Sequence, residues 1–174
     1  MSGSYFIGIS GLKEGLHTFD FEIDDRFFEN FEESEIKSGS LIAKVEMEKR
    51  SSHLDLLIKI TGKVMVCCDR CLEMFAYPVE CENRILVKTG RSIGDDDPDV
   101  ISLPAEEHEL DMQQHIYEFI CLALPIRRVH PDDENGRSTC DPAMIKKLSE
   151  HIIEEEDNVN DPRWDELKKL MNNN

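Results

Sequence analysis

Three cysteines fall within five positions of the segment VMVCCDRCLEMFAYPVE, residues 64–80. Cys68 and Cys71 form a C-x-x-C, and two thiolates at this spacing can bind one tetrahedral metal ion. A complete structural zinc site needs two more ligands, and His130 and Cys140 share a later loop. These residue types therefore suggest a Cys₃His site that holds one structural zinc ion, with Cys68, Cys71, His130 and Cys140 as its ligands.

The competing interpretation is a turn that carries thiols and binds no metal. Nine residues separate His130 from Cys140, which exceeds the usual gap of about two to five residues between paired zinc ligands. On spacing alone the metal-free turn is favoured. A redox pair is disfavoured, because the C-x-x-C lies between two predicted strands and not at the start of a helix, where the dipole would lower a thiol pKa.

Hydrolytic and transfer chemistry find little support in the sequence. It contains no P-loop and no G-x-G-x-x-G, and the string GRSIG at residues 90–94, which fits G-x-S-x-G, lies in a predicted loop and not in a turn from a strand to a helix. Five of the six histidines, all except His130, lie in a turn or among polar neighbours, and paired carboxylates carry no information in a chain this acidic. We therefore predict no catalytic residues, and we do not expect the protein to be an enzyme.

The net charge bears on the kind of partner. The chain has 20 Lys and Arg against 37 Asp and Glu, a formal net charge of −17. Proteins that bind nucleic acid directly usually present a basic face, so binding of nucleic-acid phosphates is not expected to be the main function. The acidity fits a basic partner, whose opposite field would speed encounter, or it serves solubility alone.

Two polar features are candidates for partner binding. Arg127 and Arg128 form a small basic island that either meets RNA phosphate or pairs with acids of the same chain, and internal pairing is favoured. Trp164 and Leu167 share one face of the last predicted helix. That helix either docks on its own core or anchors a partner, and docking is favoured.

Period-two alternation of apolar and polar residues runs through three segments, SLIAKVEMEKR, HLDLLIKITGKVMV and FAYPVECENRILVK. Such alternation predicts antiparallel strands with one face in water. Two further strands are predicted around a Gly-Leu-Lys-Glu-Gly turn at residues 11–15, and helices dominate the end. Strands first and helices last indicate an α+β fold, with an antiparallel, partly barrel-like sheet in the N-terminal two-thirds and C-terminal helices.

The length suits one domain, residues 1–174. It divides into a β-rich core at 4–103, an acidic loop at 90–99 and a helical part at 110–171. The start has neither a basic flank nor an apolar run, and no stretch is long and apolar enough to span a bilayer. We therefore expect a cytoplasmic protein without a membrane segment, whose six cysteines are reduced.

The order of the motifs resembles one known family. CDRCLE at residues 68–73 precedes an aromatic residue and a strand, and an acidic gap follows. Then come a helix that ends in LALP, a cysteine-bearing loop and a terminal Asp-Pro-Arg helix that ends in LKKL. Over residues 40–171 this order is similar to the YceD family, the large ribosomal RNA subunit accumulation proteins.

The resemblance implies a bacterial cytoplasmic protein, not an enzyme, that is needed for accumulation of large-subunit ribosomal RNA. Family members are often encoded beside a small basic ribosomal protein, which implies that protein or a pre-ribosomal particle as the partner. Whether RNA is contacted directly stays open. Cys68 and Cys71 match the C-x-x-C of the family. Many members carry a second cysteine pair where this chain has His130 and Cys140.

Overall fold

The computed structural model describes residues 5–89, 100–104 and 106–151. Seven strands and three helices lie in these ranges, with most of the helical residues at the C-terminal side, so the predicted α+β class is confirmed. In chain order they are β1 (Phe6–Gly8), β2 (Gly15–Ile23), α1 (Asp25–Glu29), β3 (Gly39–Lys49), β4 (His53–Cys67), β5 (Met74–Thr89), β6 (Val100–Leu103), β7 (Glu109–Asp111), α2 (Gln113–Ala123) and α3 (Pro142–His151).

The main sheet has five strands in the order β2-β3-β4-β5-β6. The first three pairings are antiparallel, whereas β6 runs parallel to β5. The sheet is open and not closed into a barrel, which corrects the predicted partly barrel-like form. The physical reason is that apolar side chains of β1, β7, α1 and α2 share one buried cluster with the sheet's inner face, so the sheet does not have to close on itself.

The predicted alternation places the core correctly. Along β4 the side chains of Leu54, Leu56, Ile58 and Ile60 are buried, and the residues between them are at least partly exposed. The alternation continues unshifted past Gly62. Because side chains of a strand point to opposite faces in turn, this pattern gives the sheet one dry face and one wet face.

The first strand differs from expectation. β1 does not pair with β2 across the early glycine turn; it pairs with β7, and Ile7 lies opposite Leu110. Both side chains are buried in the common core. The pairing brings the start of the chain next to α2, which begins two residues after β7.

Aspartate side chains fix the helix starts. Asp24 caps α1 through the Arg26 backbone N–H, and Asp111 accepts from the N–H of Gln113 at the start of α2. Asp141 accepts from two backbone N–H groups in the first turn of α3. These bonds satisfy donors that have no partner within the helix. No helix in the described ranges is long and apolar enough to cross a membrane.

The acidic loop at 90–99 and the last predicted helix, with Trp164 and Leu167, lie outside the described residues. The division of the chain into domains therefore stays a prediction.

Candidate metal centre

Four side chains that are far apart in sequence converge beside the turn between β4 and β5. Cys68, Cys71, His130 and Cys140 each offer one donor atom, and these atoms all lie within 4.8 Å of one another. The three cysteines are buried and the histidine is half-buried. The structure thus brings together all four residues that the residue types suggested as ligands.

The separations between donor atoms match those around tetrahedral zinc. The Sγ atoms of Cys68 and Cys140 are 3.7 Å apart. Nδ1 of His130 lies 3.4 Å from Sγ of Cys71 and 3.7 Å from Sγ of Cys140. Bonds of about 2.3 Å to sulfur and about 2.0 Å to nitrogen place tetrahedral donors about 3.8 Å (S···S) and about 3.5 Å (S···N) apart. Three of the six donor separations are therefore close to those of a tetrahedral zinc site, and the other three do not exceed 4.8 Å.

The turn between β4 and β5 aims two thiols inward. The N–H of Cys68 donates to the carbonyl of Glu73, and the N–H of Leu72 donates back to the carbonyl of Cys68, both at 2.9 Å. Leu72 has a φ of 64°, in the left-handed region that a side chain rarely adopts. This tight reversal holds the sulfur atoms of Cys68 and Cys71 on the same side of the turn.

The loop between α2 and α3 explains how a nine-residue gap can serve one site. Asp132 and Ser138 form an isolated antiparallel bridge. Within it, the carboxylate of Asp133 accepts from the N–H groups of Asn135 and Arg137. The loop folds back on itself, so His130 and Cys140 emerge side by side from the two ends of a short hairpin-like turn.

Direct contacts hold this loop against the C-x-x-C turn. The N–H of Asp69 donates to the carbonyl of Arg128 at 2.7 Å, and the Arg128 N–H donates to the Asp69 carboxylate at 2.6 Å. Arg70 reaches Ser138 with a bond of 3.3 Å. The two residues inside the C-x-x-C therefore position the two halves of the site relative to each other.

The thiols influence one another electrostatically. Burial raises the pKa of Cys68, but hydrogen bonds from the backbone N–H groups of Cys71 and Arg70 and from His130 outweigh it and lower that pKa to about 6. Burial raises the pKa of Cys71, and the neighbouring sulfur atoms of Cys68 and Cys140 raise it further. The cluster thus favours one thiolate, at Cys68. A second thiolate would be repelled by the first unless a cation bound between them.

His130 is fixed by packing as well as by its neighbours. Its ring lies 4.5 Å from the ring of Phe75, with a tilt of 32° between the planes. Phe75 is the second residue of β5 and belongs to the core. The contact presents Nδ1 to the sulfur atoms and leaves little freedom to the imidazole ring.

The other three cysteines stay outside the cluster. Cys67 is exposed, and its sulfur lies near the carbonyl of Leu72. Cys81 and Cys121 are half-buried, and burial raises the pKa of both thiols. Cys67 therefore lies outside the cluster although it is adjacent to Cys68 in the sequence.

The predicted basic island divides into two different environments. The guanidinium of Arg128 donates to Glu35 at 2.7 Å, and the side chain is mostly covered. Its Nε is buried and has no acceptor among the described residues. Arg127 is exposed and forms no ion pair within the described ranges. The internal pairing that the sequence favoured therefore holds for Arg128.

Sequence reasoning missed two residues of this region. Asp69 ties the α2–α3 loop to the turn, and Glu35 pairs with Arg128 across 93 positions of the chain. An acid directly after a metal-binding cysteine is a weak signal for Asp69, because such a carboxylate can cap a neighbouring backbone N–H. No local pattern points to Glu35.

One comparison with known proteins gives a match. The family model described as large ribosomal RNA subunit accumulation protein YceD matches residues 56–171, more than half of the chain. The matched part contains the C-x-x-C, α2 and the loop that carries His130 and Cys140. No curated protein and no solved structure matches the chain.

Proposed function

Because the chain belongs to the YceD family of large ribosomal RNA subunit accumulation proteins, we propose that it is a non-enzymatic, cytoplasmic factor of ribosome biogenesis. In this proposal it promotes accumulation of large-subunit ribosomal RNA by binding a basic ribosomal protein or a pre-ribosomal particle. The observation that carries the proposal is the family match over residues 56–171.

The charge of the chain supports a protein partner over direct contact with RNA phosphate. The net charge is −17, and RNA would be repelled over most of such a surface. On the wet face of the sheet, Lys59 lies between Glu46 and Glu82 at 3.8 Å and 3.6 Å. Arg84 on the same face pairs with Asp55. These cations already have acidic neighbours, whereas a basic protein would gain from the acidic excess.

We further propose that Cys68, Cys71, His130 and Cys140 hold one structural zinc ion. Three thiols and one imidazole make a full tetrahedral set, and no position is left for a water or a substrate. Three of the four ligands are buried, as expected for a structural site and not a catalytic one. When bound, zinc would link the turn between β4 and β5 to the α2–α3 loop and so stabilise the fold.

The Cys₃His geometry also favours a second candidate function. The protein would then be a small structural-zinc binding module whose protein partner has no connection to ribosomes. Both candidates share the metal site and differ in the partner, so identifying the partner separates them.

The experiment is affinity capture of the full chain at its normal expression level, followed by mass spectrometry and RNA sequencing. We expect large-subunit ribosomal proteins or their precursor particles, and nuclease treatment tells whether RNA bridges the contact. Capture of a basic ribosomal protein that survives nuclease supports the first candidate. Reproducible capture of a partner unrelated to ribosomes supports the second.

A further inference from the structure

A cleft opens at the C-terminal end of α2, outside the metal centre. It has a volume of about 340 Å³ and lies between this end of the helix and the segment that follows α1. Its apolar lining includes Tyr117, Leu124 and Ile126, and its acidic lining includes Glu33 and Glu35. A cleft with both apolar and charged walls suits a partner segment that offers an apolar and a charged side chain together.

The apolar residues at this end of α2 are unusually exposed. Ile126 is completely open to solvent, and 78% of Leu122 is exposed. Glu118 and Leu122 lie on the outer side of the helix, opposite Ile116 and Ile120, which are buried in the core. Aliphatic side chains left in water at the mouth of a cleft gain free energy when a partner covers them.

The base of the cleft is already formed. The ring of Tyr117 stacks on the ring of Phe31, with centroids 3.9 Å apart and planes at 12°. The guanidinium of Arg128 closes one end through its bond to Glu35. A preformed surface loses little conformational entropy when a partner binds.

The charge at the rim is negative. Arg128 is the cation of the lining, and Glu35 already neutralises it. Glu33 forms no ion pair among the described residues. Glu118 lies one turn before the cleft on α2, accepts a hydrogen bond from Gln114 at 2.7 Å and lies 4.0 Å from Nδ1 of His115. Arg127, which follows Ile126, is exposed and forms no ion pair in the described ranges. Three carboxylates still outnumber two arginines here, so an approaching cation would be attracted.

We propose that this cleft binds a cationic peptide segment that inserts a large aliphatic or aromatic side chain beside Ile126 while its Lys or Arg residues meet Glu33 and Glu118. The occupant is thus a basic segment of a partner protein. This inference rests on the proposed function, for which it names a contact surface and the chemistry of the segment that binds there.

The test is a binding titration of the full, metal-replete chain with synthetic peptides. The first peptide carries Lys and Arg residues around a Leu and a Trp. The second replaces both apolar residues with Ser, and the third replaces the cations with Glu. We expect the first peptide to bind at least about tenfold more tightly than the other two, with an affinity that falls as salt is raised.

Variants locate the binding site. Ile126→Glu is expected to weaken binding of the first peptide by about tenfold or more, and Glu33→Lys by about threefold to tenfold. Ile42→Glu is the matched control, because Ile42 is 53% exposed on the wet face of the sheet. Equal weakening by the Ile42 and Ile126 variants, or none by either, overturns the proposal.

Two other occupants are outcomes of the same titration. If the first peptide binds only when Trp164→Ala and Leu167→Ala are combined, the chain's own C-terminal segment fills the cleft, and the proposal is overturned. A single-stranded RNA oligomer that competes with the first peptide and loses affinity on Ile126→Glu also overturns it.

Failure of the cleft and failure of the proposed function give different results. If depletion of the protein lowers large-subunit rRNA but the first peptide does not bind, the cleft proposal is wrong and the function stands. If the peptide binds at Ile126 but depletion leaves rRNA unchanged, the site exists and the ribosomal function is wrong.

Discussion

The Sγ atoms of Cys68 and Cys140 lie 3.7 Å apart, although 72 positions separate the two residues in the chain. One belongs to the turn between β4 and β5, and the other directly precedes the cap of α3. The contact thus joins the sheet to the segment that leads into α3. A metal ion between these sulfur atoms would fix that junction.

Zinc content is the first prediction. Protein purified under reducing conditions should contain about one zinc ion per chain, because the donor set is complete and tetrahedral. Cys140→Ser and His130→Ala should each lose most of the metal, as measured by elemental analysis. Both substitutions lie in the α2–α3 loop and not in a strand of the sheet, although both side chains contact the core.

Cys121→Ser serves as the matched control, since Cys121 is half-buried but lies outside the cluster. This variant should keep its zinc. A wild-type protein that carries no metal under these conditions would show that the cluster is a thiol-bearing turn.

Removal of the metal should destabilise the protein. Free metal a thousandfold above its Kd contributes about 4 kcal/mol to the folded state, which corresponds to roughly 8–16 °C in Tm for a chain of this size. We therefore expect a strong chelator to lower the melting temperature of the wild type, as followed by circular dichroism. Cys140→Ser should melt at a lower temperature already, and chelator should not change it. A wild-type melting curve that chelator leaves in place contradicts a structural role.

Gly62 is predicted to be irreplaceable. It has a φ of 152°, and a Cβ there would overlap the Ser40 carbonyl oxygen and the Leu41 Cα on the neighbouring strand. Gly62→Ala should therefore cost at least about 2 kcal/mol of unfolding free energy in a urea titration. Gly8→Ala is the control, because nothing lies within 4 Å of its added methyl group. Similar small losses of unfolding free energy for both variants would contradict this prediction, because they would show that β3 and β4 move apart easily at Gly62.

The pair of Asp55 and Arg84 makes stability depend on pH. The hydrogen bond from Arg84 holds the pKa of Asp55 below its ordinary value of 3.8, although burial opposes this shift. A lowered pKa in the folded state stabilises it above the ordinary value, and this contribution disappears as the pH falls through the folded-state pKa. Asp55→Asn should therefore be less stable than wild type at pH 7, and the difference in stability should be smaller at a pH below 3.8.

Denaturation curves at the two pH values measure this difference. The effect should be small and should shrink in high salt, because 72% of the Arg84 side chain is exposed. Glu80→Gln is the control on the same face, since Glu80 forms no ion pair in the described part of the chain. A difference in stability between Asp55→Asn and wild type that is just as large at the lower pH would show that packing, not charge, is responsible.

The central strands were predictable because the alternation of apolar and polar residues can be seen within each strand's own sequence. Alternation in β3, β4 and β5 follows directly from the need to bury one face, and it identified Leu56 and Ile58 as core residues. The pairing of Ile7 with Leu110 depends on which apolar part of the core the other elements leave uncovered. No pattern within a short stretch of sequence contains that information. For the same reason the parallel arrangement of β6 beside β5 was not foreseen.

The residue types of the candidate site were predictable from the sequence, but the approach of its four residues to one another was not. The sequence named Cys68, Cys71, His130 and Cys140, yet the nine-residue gap argued against them. The bridge between Asp132 and Ser138 shortens that gap in space, and such a bridge depends on loop geometry that spacing rules do not contain.

The most direct test of the central claim is the ratio of large-subunit to small-subunit ribosomal RNA in cells depleted of this protein. We predict that the ratio falls on depletion and returns when the wild-type chain is restored, because the family match over residues 56–171 points to accumulation of that RNA. An unchanged ratio, together with a normal profile of ribosomal subunits, would contradict the account.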